Sequence, residues 1–287
     1  MRIAFLVPAP DNSTEWRWAY DAQAQALQGA GMSVFPLPWT EAFGASGFDL
    51  VMPLVAWGYH RRYTEWLDLL ESFERYSTPV ANPARLLRWN SDKSYLKELG
   101  ESGVASVPSM TVSELDEPHL EEARAYFGCD TLVVKPLVSA SAYGTYRLSR
   151  GDAVPEGVRG WRMLVQPWIE KITDSGEWSL MFFDGVFSHA VSKVPLPGEF
   201  RVQPEFGGLI ERCDPRPGAI ALGEAALAAA PEPATYARVD IVEANDGTGL
   251  QVIELELIEP ALFLDRAPEQ APRFAEAVRS AVLRLAQ

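Results

Sequence analysis

Residues 236–260, YARVDIVEANDGTGLQVIELELIEP, read as a β-hairpin that gathers acids on one face. The turn signal Asn245-Asp246-Gly247-Thr248-Gly249 separates two runs of alternating apolar and polar residues, the pattern of strands that each bury one side. Side chains two apart share a face. On the first strand Arg238, Asp240 and Val242 therefore point one way while Val239 and Ile241 point the other. On the second, Glu254 and Glu256 oppose Ile253, Leu255 and Leu257. Folding about Asp246 and Gly247 sets Asp240 nearly opposite Glu254, so three carboxylates crowd above an apolar layer, where like charges repel unless a cation sits among them. Hard oxygen donors of this kind suit Mg²⁺, with Mn²⁺ as the alternative, and phosphate oxygens and waters complete the octahedron. Acids on an amphipathic strand are ordinarily a solvated outer face. Two glutamates at strand spacing are poor strand formers, which weighs against that reading here.

Outward from the hairpin, the segment NPARLLRWNSDKSYLKEL supplies Lys93 and LVVKP supplies Lys135. LVQPWIEKITDSGEWSL supplies Gln166 to Ile169 and Glu177, and FRVQPEFGG supplies Arg201 with a glycine pair. In this order, followed by an Asp and a Glu-x-Glu, these motifs resemble the ATP-grasp superfamily of carboxylate ligases. That superfamily includes glutathione synthetase, D-alanine:D-alanine ligase and the ribosomal-protein-modifying glutamate ligases. The resemblance runs from about residue 80 to the C-terminus. The strings LRWNSDKSYL, VQPW, FSHAVSK, FRVQPE and IELELIEP are most similar to the group containing the cyclo-ligase of cycloserine biosynthesis. The fold class implied is α/β (α+β), an ATP-grasp fold preceded by a small parallel α/β domain. The domains expected are residues 1–80, a central ATP-grasp subdomain 81–165 with Lys93 and Lys135, and a C-terminal subdomain 166–287 with the metal-binding hairpin.

Composition agrees. A chain of 287 residues exceeds what one small core needs, so two or three packed subdomains are expected. The balance of 22% charged and 47% hydrophobic residues is that of an ordered globular chain. A formal charge of -14 argues against a nucleic-acid-binding surface, since phosphate backbones are held by clustered Lys and Arg. ATP must then meet a local basic cluster in an acidic protein. Cys129 and Cys213 stand far apart in no CxxC pattern, which fits reduced thiols in a cytoplasm. The opening MRIAFLVPAP is too short for a signal-peptide core, and the longest apolar run, LVMPLVAW at 50–57, cannot span a bilayer. A cytoplasmic location with no membrane partner follows; a homo-oligomer is compatible with all of this.

Along the chain, Ile3 to Val7, Ser33 to Leu37 and Leu50 to Ala56 read as strands, and Thr14 to Leu27 as a helix ended by Gly29 and Gly31. Tyr63 to Tyr76 places Tyr63, Trp66, Leu67, Leu70 and Phe73 at helical spacing. Together they imply a small parallel sheet covered on its faces. The two prolines of TPVANP mark a boundary near residue 80. From Arg85 an amphipathic helix is expected to carry Lys93, with further helices at Leu115 to Tyr126, Ala219 to Ala230 and Pro272 to Leu285.

Lys135 ends a buried strand, where a compact charge can meet a phosphate oxygen; a lone lysine there is otherwise merely solvated. The resemblance implies that Lys93 and Lys135 both touch ATP phosphates. It implies also that the loop VSASAYGTYR covers them, although only Gly144 stands where several glycines are common. Gln166, Trp168 and Ile169 resemble the linker whose backbone reads adenine, with Trp168 equally readable as core. Glu177 matches the acid that accepts from ribose hydroxyls, or is a surface glutamate at a turn. Lys193 and Arg201 are implied as the catalytic cations around the transferred phosphoryl and the developing oxyanion, Arg201 the stronger because its fork matches phosphate. His189, beside Ser188, reads as a structural histidine. Glu256 stands where family members commonly have Asn.

Together these imply phosphorylation of a carboxylate by ATP to an acyl phosphate, which a nitrogen nucleophile then attacks, in another molecule or in the same one. The substrate implied is small and amino-acid-like. Ligands of open parallel sheets gather beyond the carboxyl ends of strands, which nominates Trp57, Tyr59, His60 and Arg61, and Glu259 as holder of a substrate amine. Two alternatives use the same grasp on ATP: a kinase releasing a stable phosphorylated product, and a non-catalytic ATP-binding protein.

Overall fold

The computed structural model describes residues 1–196 and 207–286. It opens with β1 (Arg2–Val7), α1 (Arg17–Gly29), β2 (Ser33–Pro38), β3 (Leu50–Met52) and α2 (Tyr63–Arg75). The three strands form a parallel sheet in the order β2-β1-β3. Alternation along β1 splits its side chains between two cores: Ile3, Phe5 and Val7 pack with Ala24 and Leu27 of α1. Ala4 and Leu6 pack with Trp66, Leu70 and Phe73 of α2. β3 stops at Met52 rather than running to Ala56, because Pro53 has no N–H to continue the ladder.

The single helix expected from Arg85 through Lys93 is two: α3 (Ala84–Asn90) and α4 (Tyr95–Glu101). Between them side chains take over backbone groups, a habit of Ser and Asp that ends helices. Ser91 Oγ donates to the Leu87 carbonyl at 2.8 Å, and Asp92 Oδ1 accepts from the Ser94 N–H at 3.0 Å. Lys93 therefore sits in the turn, tied by its own N–H to the Leu137 carbonyl at 2.7 Å.

An antiparallel sheet follows, built from β4 (Met110–Val112), β5 (Leu132–Pro136), β6 (Tyr146–Leu148) and β7 (Met163–Pro167) in the order β4-β7-β5-β6. Leu132 and Val134 bury against Leu120 and Ala123 of α5 (Glu117–Phe127), so Lys135, one residue on, faces the other way. After α6 (Lys171–Ser175) comes the largest sheet: β8 (Glu177–Phe183), β9 (Val186–Val194), β10 (Leu209–Cys213), β11 (Tyr236–Glu243) and β12 (Leu250–Glu256). Its order is β10-β9-β8-β11-β12 and every neighbouring pair is antiparallel.

One face of this sheet, with Trp178, Leu180, Phe182, Val239, Ile241 and Leu255, is covered by α7 (Ala219–Ala228). On the other face, Met181, Phe183 and Tyr236 join the core of β1 and of α8 (Ala271–Leu285), which closes the chain against α1. Beyond that apolar end the same face is polar.

β12 is the edge of its sheet; its outer backbone groups are met at Val252 by the Val107 N–H and the Ala105 carbonyl, each at 2.9 Å, and farther along by side chains. Asn90 donates to the Leu255 carbonyl at 2.7 Å and accepts from the Leu257 N–H at 2.9 Å. The Tyr95 hydroxyl lies 3.0 Å from both the carbonyl and the N–H of Leu255. Asn82 donates to the carbonyls of Tyr236 and Leu257 at 2.9 and 2.8 Å. An otherwise open strand edge is thus pinned to the α3–α4 unit that carries Lys93. No helix among the described residues is long and apolar enough to cross a membrane.

Candidate active site

Register alone assembles the polar face. In the β11–β12 pair Asp240 lies opposite Glu254 and Arg238 opposite Glu256, with a bulge at the next step that leaves Ile253 as the extra residue. Across β8, Asp240 lies opposite Ser179, and across β9 Glu177 lies opposite Lys193. Residues two apart share a face, so Lys193, Glu177, Ser179, Asp240, Arg238, Glu254 and Glu256 form one contiguous patch. Gly176 permits the corner before Glu177: its φ is +74° and an added Cβ would meet the Lys193 carbonyl oxygen at 2.4 Å.

One carboxylate oxygen each from Asp240, Glu254 and Glu256 lies within 4.8 Å of the others. The hairpin geometry expected from the sequence is therefore present, as is the apolar layer beneath it. Asp240 is the most engaged of the three. Its oxygens accept from Arg238 Nε at 3.0 and 3.2 Å, from Arg238 Nη2 at 2.9 Å and from Lys193 Nζ at 3.2 Å, and Ser179 adds a short hydroxyl bond. Arg238 also pairs with Glu256, and Lys93 with Glu254. A set of hard oxygens at this spacing, balanced by fixed cations, fits a divalent Mg²⁺ class ion.

The charges interlock. Burial alone raises the Asp240 carboxyl, yet Arg238 and then Lys193 outweigh it and hold the group well below the usual carboxylate range. Burial pushes Glu256 up to about 7, against Arg238 and reinforced by Glu254 and Asp240. Burial works against ionised Glu254 too, but Lys93 and Lys135 lower it. Lys135 is buried and its ammonium makes no hydrogen bond or ion pair among the described residues; burial brings it down to about 8, opposed by Glu254. Lys135 thus lies across from the acids of the largest sheet and within their electrostatic reach.

The end of β7 and the linker after it carry the other expected contacts. Gln166 is buried and donates to Ser109 Oγ at 2.9 Å. Asn245, from the hairpin turn, donates to the Trp168 carbonyl at 2.7 Å and accepts from the Glu170 N–H at 2.8 Å. Trp168 is buried under the Arg147 guanidinium, 4.6 Å from its ring, and Ile169 lies in a small core with Val107, Ile172 and Val242. The Ile169 carbonyl accepts from Ile172, whereas its N–H has no hydrogen-bond partner among the described residues. Glu177 is ion-paired with Lys193 at 2.8 Å, placing it inside the acidic patch. His189 is structural: Nε2 meets the Leu262 carbonyl and Nδ1 the Ser188 hydroxyl, each at 2.9 Å. Arg201 lies outside the described residues.

Lys93, Lys135, Lys193, Glu177, Asp240, Glu254 and Glu256 are thus brought into one electrostatic neighbourhood; Gln166 belongs to β7, and Trp168 and Ile169 to the linker that follows it. Two members escaped the sequence reading. Arg238 shares a strand face with Asp240, which is a visible signal, but its role as the bridge between two acids needs the register. Ser179 gives no signal beyond strand alternation. Glu259 Oε2 is buried without a hydrogen-bond partner among the described residues, and burial followed by Glu256 drives its carboxyl well above the usual range.

Residues 3–82 match the family model described as the N-terminal domain of D-cycloserine synthetase DcsG. Over 251 residues the chain is 31% identical to the cycloserine biosynthesis protein DcsG of Streptomyces lavendulae, spanning 81% of this chain and 83% of that one. It is 25% identical over 172 residues to glutathione synthetase of Ralstonia nicotianae, 57% of this chain and 50% of the relative. The crystal structure of D-cycloserine synthetase DcsG superposes with a TM-score of 0.83 at 27% identity, covering 99% of this chain and all of the other. D-alanine–D-alanine ligase from Bacillus anthracis shares the fold, with a TM-score of 0.70 at 16% identity over 99% of this chain and 98% of that one.

Proposed function

The chain belongs to the D-cycloserine synthetase family of ATP-grasp ligases, and from that premise we propose that it activates the carboxylate of a small amino-acid-like substrate as an acyl phosphate and closes a C–N bond upon it. The nitrogen belongs to a second molecule or to the same one; the relatives' names include both D-cycloserine synthetase and D-alanine–D-alanine ligase. The observation that carries the reading is the patch itself, three carboxylates within 4.8 Å set among Lys93, Lys135, Lys193 and Arg238.

Hydroxide does not leave a carboxylate at neutral pH, so the carboxylate oxygen must first acquire the γ-phosphoryl group, with ADP departing. Lys135 and Lys93 offer ammonium groups to the phosphate oxygens. Lys135 suits this role because its ammonium has no other partner among the described residues. The Ile169 N–H is the linker donor left for the adenine edge. Asp240, Glu254 and Glu256 would hold Mg²⁺, which when bound supplies neutralising charge to the phosphoryl oxygens. Lys193 and Arg238 fix Asp240 and Glu256 in place so that their oxygens need no reorganisation during transfer.

The test is product stoichiometry. With its substrate the chain should yield ADP, free phosphate and one new C–N bond in equal amounts, and Glu254→Gln should abolish this while circular dichroism stays unchanged. Hydroxylamine should trap a hydroxamate when the nitrogen nucleophile is withheld or, for a cyclising substrate, blocked. ADP and a stable phosphorylated product in equal amounts, without free phosphate, would mean a kinase and refute the ligase reading.

A further inference from the structure

The two lysines offered to the phosphates stand in different states. The Lys135 ammonium makes no hydrogen bond or ion pair among the described residues. Lys93 is already engaged: its Nζ pairs with Oε1 of Glu254, one of the three acids of the candidate metal site. The side chains of that pair are only 12% and 28% exposed, so solvent ions screen it little.

The other two acids are held differently. Asp240 accepts from Arg238, Lys193 and Ser179, and Glu256 accepts from Arg238. Arg238 stands on β11 and Lys193 on β9, in the same sheet as the acids they hold. Lys93 comes from outside that sheet, in the turn between α3 and α4. Its backbone is fixed there: the Lys93 N–H donates to the Leu137 carbonyl at 2.7 Å, while Asn90 and Tyr95, before and after it, bind the Leu255 carbonyl on β12. What is left to move is the side chain, a flexible four-carbon stem that ends in a compact charge. Leu137 stands two residues after Lys135, so the turn bearing Lys93 is fastened beside the strand end bearing Lys135.

We propose that Lys93 is an exchangeable counter-ion, which neutralises Glu254 until nucleotide phosphates draw its ammonium away and leave that carboxylate to a divalent ion. The proposal rests on the ligase reading above and adds an order to it: the acids hold metal poorly by themselves and well once the phosphates have taken Lys93. A carboxylate bonded to an ammonium is a weaker ligand for a dication, because the two cations repel at this spacing. A triphosphate carries more charge than one carboxylate and offers more oxygens, so it is the stronger partner for the ammonium. The coupling is reciprocal, and metal bound at Glu254 favours Lys93 on the phosphates to the same degree. In a chain of formal charge -14, the pairing also keeps a cluster of carboxylates from collecting divalent ions before nucleotide arrives.

The competing account keeps Lys93 on Glu254 throughout, as a group that only orients the ligand. The two differ in sign. The full chain and its variants are titrated with Mn²⁺ alone, free ion being read by electron paramagnetic resonance, and with AMPPNP in EDTA by calorimetry. Lys93→Met should bind Mn²⁺ at least about 10-fold more tightly than wild type. Lys135→Met removes an equal charge that is not bonded to Glu254, and its gain should be at least about 3-fold smaller. In EDTA, Glu254→Gln releases Lys93 and should tighten AMPPNP by about 5-fold or more. That gain should shrink to less than about twofold once Lys93→Met is added, as a double-mutant cycle requires of a coupled pair. Should Lys93→Met lose its cooperative thermal transition, Lys93→Gln, which keeps a hydrogen bond to Glu254 without the charge, repeats both arms. Mn²⁺ affinity unchanged or weakened by these substitutions, with Mn²⁺ still bound by wild type in the presence of AMPPNP, would overturn the exchange and leave the ligase reading intact. An AMPPNP gain in Glu254→Gln that survives Lys93→Met would overturn it as well, since plain relief of repulsion would then suffice. Failure of wild type to hold Mn²⁺ even with AMPPNP would overturn the metal site and the exchange together.

Discussion

Arg238→Met removes the cation that bridges Asp240 and Glu256, two of the three acids of the candidate metal site. Methionine keeps much of the volume and apolar stem of arginine while removing the guanidinium. That guanidinium makes three contacts with Asp240, at 2.9 to 3.2 Å, and one with Glu256, all in a buried setting. Removing one partner of a buried ion pair costs about 3–5 kcal/mol because the other charge stays behind unpaired. Lys193 still faces Asp240 at 3.2 Å, which places the expected loss near the low end, about 3 kcal/mol.

The loss should depend on pH, and Glu256 sets the sign. Its folded-state value of about 7 already stands above its ordinary value because of burial, and Arg238 works against that rise. Without Arg238 the folded value climbs further. The folded variant then holds a proton that the unfolded chain has released, so stability falls as pH rises through that higher value. The deficit against wild type should be smallest near pH 6, where Glu256 takes up a proton in both chains, and should grow from about pH 7 upward. Urea unfolding of both chains from pH 6 to 9, without added divalent ions, measures it. A deficit below about 1 kcal/mol, the size of an exposed pair, or one that does not change with pH, would refute the account of Arg238 as the buried counter-charge.

Two further outcomes follow from the same geometry. Lys135→Ala should weaken AMPPNP far more than adenosine. Because burial brings the wild-type ammonium down to about 8, AMPPNP affinity should hold below about pH 7 and decline as pH rises through 8, a slope that Lys135→Met removes; titrations by calorimetry across pH check both. Asn90→Ala removes a donor to the Leu255 carbonyl and the acceptor of the Leu257 N–H, and a buried group left unsatisfied costs about 1–3 kcal/mol. Urea unfolding should therefore show a loss of about 2 kcal/mol, with turnover falling by more than the folded fraction does, because β12 positions Glu254 and Glu256.

Periodicity made most of the fold legible. The alternation of Ile3 to Val7 and the 3.6 spacing of Trp66, Leu70 and Phe73 are driven by burial on one side of an element, and burial is what those patterns encode. The hairpin was legible for the same reason, and its turn fixed the register that sets Asp240 against Glu254. Misreadings occurred where a local side chain overruled the pattern. Pro53 cut β3 short, and Ser91 with Asp92 broke the helix expected to carry Lys93, leaving that lysine in a turn.

What stayed hidden is the set of contacts made between elements far apart in sequence. Asn82, Asn90 and Tyr95 read as ordinary polar residues near a boundary, yet their partners are backbone groups more than 150 positions away. Together with the backbone bridge at Val252 they cover the outer edge of β12, and no periodicity records an edge closed by side chains. The consequence reaches the chemistry. The strand bearing Glu254 and Glu256 is held on one side by β11 and on the other by the α3–α4 unit, whose intervening turn presents Lys93 to Glu254. The same contacts therefore close the sheet edge and set the distance between Lys93 and the acids, so a change at Asn90 should be felt as lost geometry before it is felt as lost fold.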